Sequence, residues 1–135
     1  MKKITVIGTG YVGLVSGAGI SDFGNNVCCA DIDKEKIELL NNGVIPIYEP
    51  GLDELFKRNV KSKRLIFTDN VDDSVQSAEV IFIAVGTPED KTGNADITAV
   101  LQVAELIGKN LNNYKVICTK STVPVGTGKK IIDVI

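Results

Sequence analysis

Short, continuously apolar runs alternate along this chain with stretches of helical periodicity. Ile4-Thr5-Val6-Ile7 is a β-branched run halted by Gly8, the pattern of a strand buried on both faces. Tyr11 to Phe23 is rich in small residues and predicts a helix closed by Gly24-Asn25-Asn26. A second apolar run, Val27-Cys28-Cys29-Ala30, stops at Asp31. Asp33 is placed to cap the next helix, which puts Ile37 and Leu40 on one face and ends at Asn42-Gly43. Val44 to Gly51 holds two prolines and predicts a loop, and Leu52 to Asn59 a further short helix.

The alternation continues through the second half. Leu65-Ile66-Phe67-Thr68 predicts a strand, Asp69 to Ser77 a short helix or turn, and Val80 to Val85 the strongest strand of all. A polar loop, Gly86 to Asp96, precedes a helix with Val100, Val103, Ala104, Ile107 and Leu111 at three- and four-residue steps. Asp96 suits a cap for that helix better than a catalytic acid. Val116-Ile117-Cys118 is a fifth strand, Thr119 to Gly128 a loop, and a last helix is expected from near Lys129. Continuously apolar strands alternating with helices predict an α/β fold, a doubly wound, mostly parallel sheet with helices on both faces.

Composition narrows the function. The chain has 135 residues, enough for one domain with its own core, and a net charge of -2 without a basic block. Nucleic acid is therefore not expected as a partner. No run of about 18 uninterrupted apolar residues exists to span a membrane. Met1-Lys2-Lys3 followed by Ile4 to Ile20 superficially resembles a signal peptide, but five glycines interrupt it, and a cytoplasmic protein is the expectation. Cys28, Cys29 and Cys118 lie in strand-like runs without metal-ligand spacing, so they are expected to be buried, unpaired hydrophobes, with no metal site. There is no histidine, which excludes Ser-His-Asp and Cys-His chemistry within these residues.

Gly8-Thr9-Gly10-Tyr11-Val12-Gly13 matches G-x-G-x-x-G, with a strand before it, a helix after it and Asp31 ending the next strand. That context makes it a Rossmann-type dinucleotide motif rather than packing glycines alone. Gly8 permits the tight turn, Gly10 the approach of a pyrophosphate, and Gly13 close packing of helix on strand. The amides of Tyr11 and Val12 then face the phosphates at the helix N-terminus. Asp31 is expected to accept hydrogen bonds from the adenosine ribose and to repel a 2′-phosphate, favouring NAD over NADP. Lys36 can reach back to the ribose or a phosphate, although on the residues alone a solvated helix lysine is the commoner case. Thr87, Ser121 and Thr122 follow the fourth and fifth strands, at the edge where ligands bind in such sheets. Their hydroxyls suit either the nicotinamide half of the cofactor or ordinary turn and cap chemistry.

Together, Gly8 to Leu14, Asp31-Ile32-Asp33, Pro46 to Leu52, Val85-Gly86-Thr87-Pro88 and Lys120 to Gly126 resemble the UDP-glucose 6-dehydrogenase family over essentially the whole chain. GDP-mannose and N-acetylhexosamine nucleotide-sugar dehydrogenases share much of this pattern. The resemblance implies NAD contacts by Val12, Asp31, Lys36 and Thr122, with Thr87 close by, and a catalytic role for Thr122 in placing a water near the reacting centre. It implies oxidation of a sugar C6 alcohol to a carboxylate in two hydride transfers, through a cysteine thioester. The family's nucleophilic cysteine, lysine and glutamate would all lie beyond Ile135, as would its central helix and second domain. Residues 1–135 are thus expected to be the N-terminal NAD-binding domain of a longer homo-oligomeric enzyme that takes a nucleotide sugar. Two other readings remain: an NAD-sensing module without chemistry, and another Rossmann enzyme such as a 3-hydroxyacyl-CoA dehydrogenase. The latter does not fit the Tyr48-Glu49-Pro50-Gly51 loop.

Overall fold

The computed structural model describes all residues, Met1–Ile135. The apolar runs become five strands, β1 (Lys3–Ile7), β2 (Asn26–Ala30), β3 (Leu65–Thr68), β4 (Val80–Ile83) and β5 (Val116–Thr119). They pair in the order β3-β2-β1-β4-β5, and every pairing is parallel. Parallel neighbours need crossovers, and the helices supply them. They are α1 (Tyr11–Asp22), α2 (Lys34–Asn41), α3 (Leu52–Lys61), α4 (Val71–Ser77), α5 (Thr98–Lys109) and α6 (Thr127–Val134).

Because both faces of the sheet are covered, there are two cores. On one face Val6, Val27, Cys29 and Leu65 meet Leu14 and Ala18 of α1, Leu40 of α2 and Phe56 of α3. On the other, Ile81 and Ile83 meet Val75 of α4, Val100, Ala104 and Ile107 of α5, and Ile131 of α6. The chain winds outward from β1 in one direction through β2 and β3, then crosses to β4 and β5 in the other. The strand order reverses between β1 and β4, and the register there aligns Ile7 with Ala30 and with Ile83. Gly8, Asp31 and Ala84 thus leave the sheet at one edge, beside the switch point where α/β sheets bind ligands.

Four boundaries and burial states differ from the sequence expectation. The fourth strand ends at Ile83 rather than Val85, because its neighbour β1 has already turned away at Gly8, whose φ is +106°. The Lys120 and Ser121 amides both donate to the Ile83 carbonyl there. Leu111 lies past the end of α5 and is exposed, since Asn110 closes the helix and its amide side chain donates to Asp72. The last helix starts at Thr127, where a left-handed Gly126 turns the chain and the buried Thr127 hydroxyl donates to the Pro124 carbonyl. Of the cysteines, only Cys29 is fully buried. Cys28 points to the face that α4 covers incompletely, where it lines a cleft with Ile66, Ser74 and Ser77.

Candidate dinucleotide site

The three motif glycines do three different jobs, and an added Cβ separates them. At Gly8 it would stand 2.5 Å from the Ala84 carbonyl oxygen, on a backbone that L-residues avoid. At Gly13 it would stand 1.8 Å from the Gly8 carbonyl oxygen, so the start of α1 packs directly on the turn below it. At Gly10 it would meet nothing within 4 Å. Gly10 is therefore spared a side chain by no part of the protein, and the open space it faces lies at the N-terminus of α1. That terminus has no side-chain cap and no acidic residue in its first turn. The amides of Tyr11, Val12 and Gly13 find no acceptor in the chain, since the first helical bond into Gly10 comes from Leu14. Free amides at a positive dipole end constitute an anion site.

Asp31, at the tip of β2, is held from three directions. The amide and hydroxyl of Thr9 donate to its Oδ2 at 2.8 and 2.7 Å, and the Asp33 amide donates to its Oδ1 at 3.0 Å. Lys36 Nζ stands 3.9 Å from Oδ2, so the lysine turns back toward the site from the first turn of α2. Partial burial pushes the Asp31 carboxyl up, but the Asp33 amide, the two Thr9 donors and Lys36 outweigh it and hold the group below its ordinary value. Asp31 is ionised at neutral pH.

Next to Asp31 lies a mainly apolar cleft of about 140 Å³. It is lined by Ile7, Gly8, Ile32, Val71, Val85, Val103 and Leu106, with Gln102 as a polar contact. A slot of this kind accepts a flat, largely apolar ring, with Asp31 at its rim. Most of these lining residues carry no motif. They come from segments far apart in the chain, and only the premature end of β4 frees Val85 to join them.

On the other side of the switch point, the loops after β4 and β5 are stapled together. Thr87 Oγ1 donates to the Thr122 carbonyl at 2.7 Å, and Ser121 Oγ donates to the Val85 carbonyl at 2.7 Å. The hydroxyl hydrogens of Thr87 and Ser121 are thus committed to loop geometry, leaving these groups as acceptors. The exposed Thr122 hydroxyl makes no bond within the chain and can still donate. Asp96 accepts from the Thr98 amide and hydroxyl at the start of α5, although the capping position itself falls on Ile97, one residue later than expected. A contact that the motifs gave no sign of joins Tyr11 to the Val44–Gly51 loop, where the phenol donates to Glu49 at 2.5 Å. The Tyr11 pKa is raised, through that bond first, then by loss of hydration and by the carboxylate's charge.

An uncapped helix N-terminus, an open glycine, an ionised aspartate and an apolar slot along one edge of a doubly wound sheet define a dinucleotide-binding Rossmann domain. Comparison with known proteins narrows the class: residues 2–135 match the NAD-binding domain of the UDP-glucose/GDP-mannose dehydrogenase family, and the chain belongs to that family. Over its full length it is 57% identical to UDP-glucose 6-dehydrogenase TuaD of Bacillus subtilis, of which it spans 29%. Among solved structures it resembles a UDP-glucose dehydrogenase of Pyrobaculum islandicum, with a TM-score of 0.92 at 34% identity, covering 98% of this chain and 33% of that one. It is similarly close to a GDP-mannose dehydrogenase of Pseudomonas aeruginosa, with a TM-score of 0.91 at 34% identity over 96% of this chain and 30% of that one. No helix is long and apolar enough to cross a membrane.

Proposed function

We propose that residues 1–135 are the N-terminal, cofactor-binding part of a UDP-glucose 6-dehydrogenase, which oxidises UDP-glucose to UDP-glucuronate with two NAD. The observation that carries this reading is the 57% identity to TuaD across every residue of the chain. That relative is a UDP-glucose enzyme, which supports glucose as the sugar.

The chain's own groups divide the work. The apolar slot takes the adenine ring, and Asp31 accepts from the adenosine ribose while its charge repels a 2′-phosphate. The amides of Tyr11 and Val12 would hold the pyrophosphate beside the open Gly10, where Gly8 and Gly13 hold turn and helix together. Lys36 adds a cation near the ribose. Thr87, Ser121 and Thr122, on loops joined by the Thr87 and Ser121 hydroxyls, would hold the nicotinamide half, and the free Thr122 hydroxyl would orient a water for the reaction. NAD, when bound, supplies the hydride acceptor.

The chain spans 29% of TuaD, and the longer protein supplies the sugar-nucleotide pocket and the nucleophile. Neither Cys28 nor Cys29 suits the latter role. Burial pushes the Cys28 thiol up to about 11 and Cys29 further still, leaving a negligible thiolate fraction at neutral pH. We place the enzyme in the cytoplasm, as a homo-oligomer. The test is NADH formation by the longer protein with UDP-glucose, GDP-mannose and UDP-N-acetylhexosamines in parallel. UDP-glucose should be turned over fastest and yield about two NADH per sugar, because the alcohol is carried through to the acid. Preference for another sugar nucleotide would overturn the substrate assignment, and one NADH per sugar would overturn the reaction.

A further inference from the structure

Thr9 occupies the variable position between the first two motif glycines, yet it is 1% exposed and both its donors converge on one atom, Asp31 Oδ2. An ionised carboxylate offers about four lone-pair positions. Thr9 fills two of them and the Asp33 amide a third, on Oδ1. One acceptor position remains, also on Oδ1, and Asp31 lines the slot beside it. Gripped at both oxygens, the carboxylate cannot rotate to offer a different edge, nor swing its charge aside.

We propose that Thr9 is a positioning residue for cofactor selection, its hydroxyl orienting Asp31 so that the single free lone pair meets a ribose hydroxyl and the fixed charge excludes a 2′-phosphate. The proposal rests on the NAD reading above. Without the hydroxyl, Oδ2 keeps only the Thr9 amide and the distant Lys36 ammonium. The carboxylate then gains freedom about its χ angles. It loses alignment with the ribose hydroxyl, and it can turn away from a phosphate that it formerly repelled.

Thr9→Val removes the hydroxyl at constant shape and leaves the backbone bond in place, and Thr9→Ser restores the donor. NAD and NADP affinities of the full chain are measured by calorimetry for each, with circular dichroism as the folding control. The unmutated chain and Thr9→Ser should prefer NAD. In Thr9→Val the NAD:NADP affinity ratio should fall about tenfold or more, the size expected for one hydrogen bond to a charged group, with NADP binding unchanged or tighter. Thr9→Ala, which removes the same donor, gives the same readout should valine be rejected by the core. A purely structural threonine would weaken both cofactors alike and leave the ratio unchanged; that result, or no change in either affinity, overturns the proposal. An unmutated chain with no preference for NAD is a separate outcome, which overturns the cofactor reading itself.

Discussion

At Gly10 and Gly13, three positions apart in one motif, an added side chain has opposite meanings. A side chain at Gly10 enters space that no protein atom occupies, so Gly10→Val should abolish NAD binding in a calorimetric titration while its circular dichroism spectrum stays native. A Cβ at Gly13 would sit inside the Gly8 carbonyl, so Gly13→Ala should lower thermal stability before any ligand is added. Equal loss of stability in both variants would show that Gly10 serves the fold rather than a ligand. Asp31→Ala should weaken NAD by roughly 1–3 kcal/mol, since it leaves ribose hydroxyls and the Thr9 donors without their acceptor. NADP should lose far less, because the same change removes a repulsion, and a variant that weakens both cofactors equally would contradict the role given to Asp31.

Between elements, a polar clamp ties α1 to α3. Arg58 donates to both oxygens of Asp22 at 2.6 Å from Nε and 2.6 Å from Nη2, and Asn59 adds a bond at 3.0 Å. The fully buried Asn59 also donates to Leu55 and accepts from Arg64, so the clamp continues to the start of β3. The Arg58 and Asn59 donors lower the Asp22 pKa to about 2. For a carboxylate depressed on folding, the stabilisation is present above the unfolded value near 3.8 and disappears as pH falls through the folded value near 2. Asp22→Asn should therefore reduce the urea midpoint at pH 7, and the gap from the unmutated chain should close between about pH 4 and pH 2. A gap that stays constant down to pH 2 would mean that the ion pair contributes nothing to folding. The clamp matters to the candidate site because α1 carries the unpaired Tyr11, Val12 and Gly13 amides at its other end.

For the molecule as a whole, the proposed division of labour leaves the cofactor with this sheet and the nucleophile with the longer protein. Dehydrogenation requires cofactor, sugar and nucleophile within near-attack distance. Residues 1–135 alone should accordingly show no NADH formation with UDP-glucose at any chain concentration. In the longer protein, Thr122→Ala should lower kcat more than it weakens NAD, because the hydroxyl is unengaged by the loop and its loss leaves the Thr87 and Ser121 staples intact. Steady NADH formation by residues 1–135 alone would reveal a catalytic group among them. An unchanged kcat in Thr122→Ala would return that residue to loop chemistry.

The alternation of apolar strands with periodic helices, the turn at Gly8 and the acidic tip of β2 are all properties of neighbouring residues, and they were legible in order along the chain. So was the parallel, two-faced sheet, because strands apolar on both sides demand cover on both sides. What only the tertiary structure decided lies between residues that no periodicity connects. Thr9 reaches Asp31 across 22 positions, and Tyr11 reaches Glu49 across 38. The slot joins Ile32, Val71, Val85 and Leu106. The early end of β4 and the half-exposure of Cys28 depend on where a neighbouring strand turns and on how far a helix extends over the sheet. Local pattern records which face a residue must bury; which partner it meets there is set by the closing of the sheet around the switch point, a long-range event that each segment's own sequence does not encode.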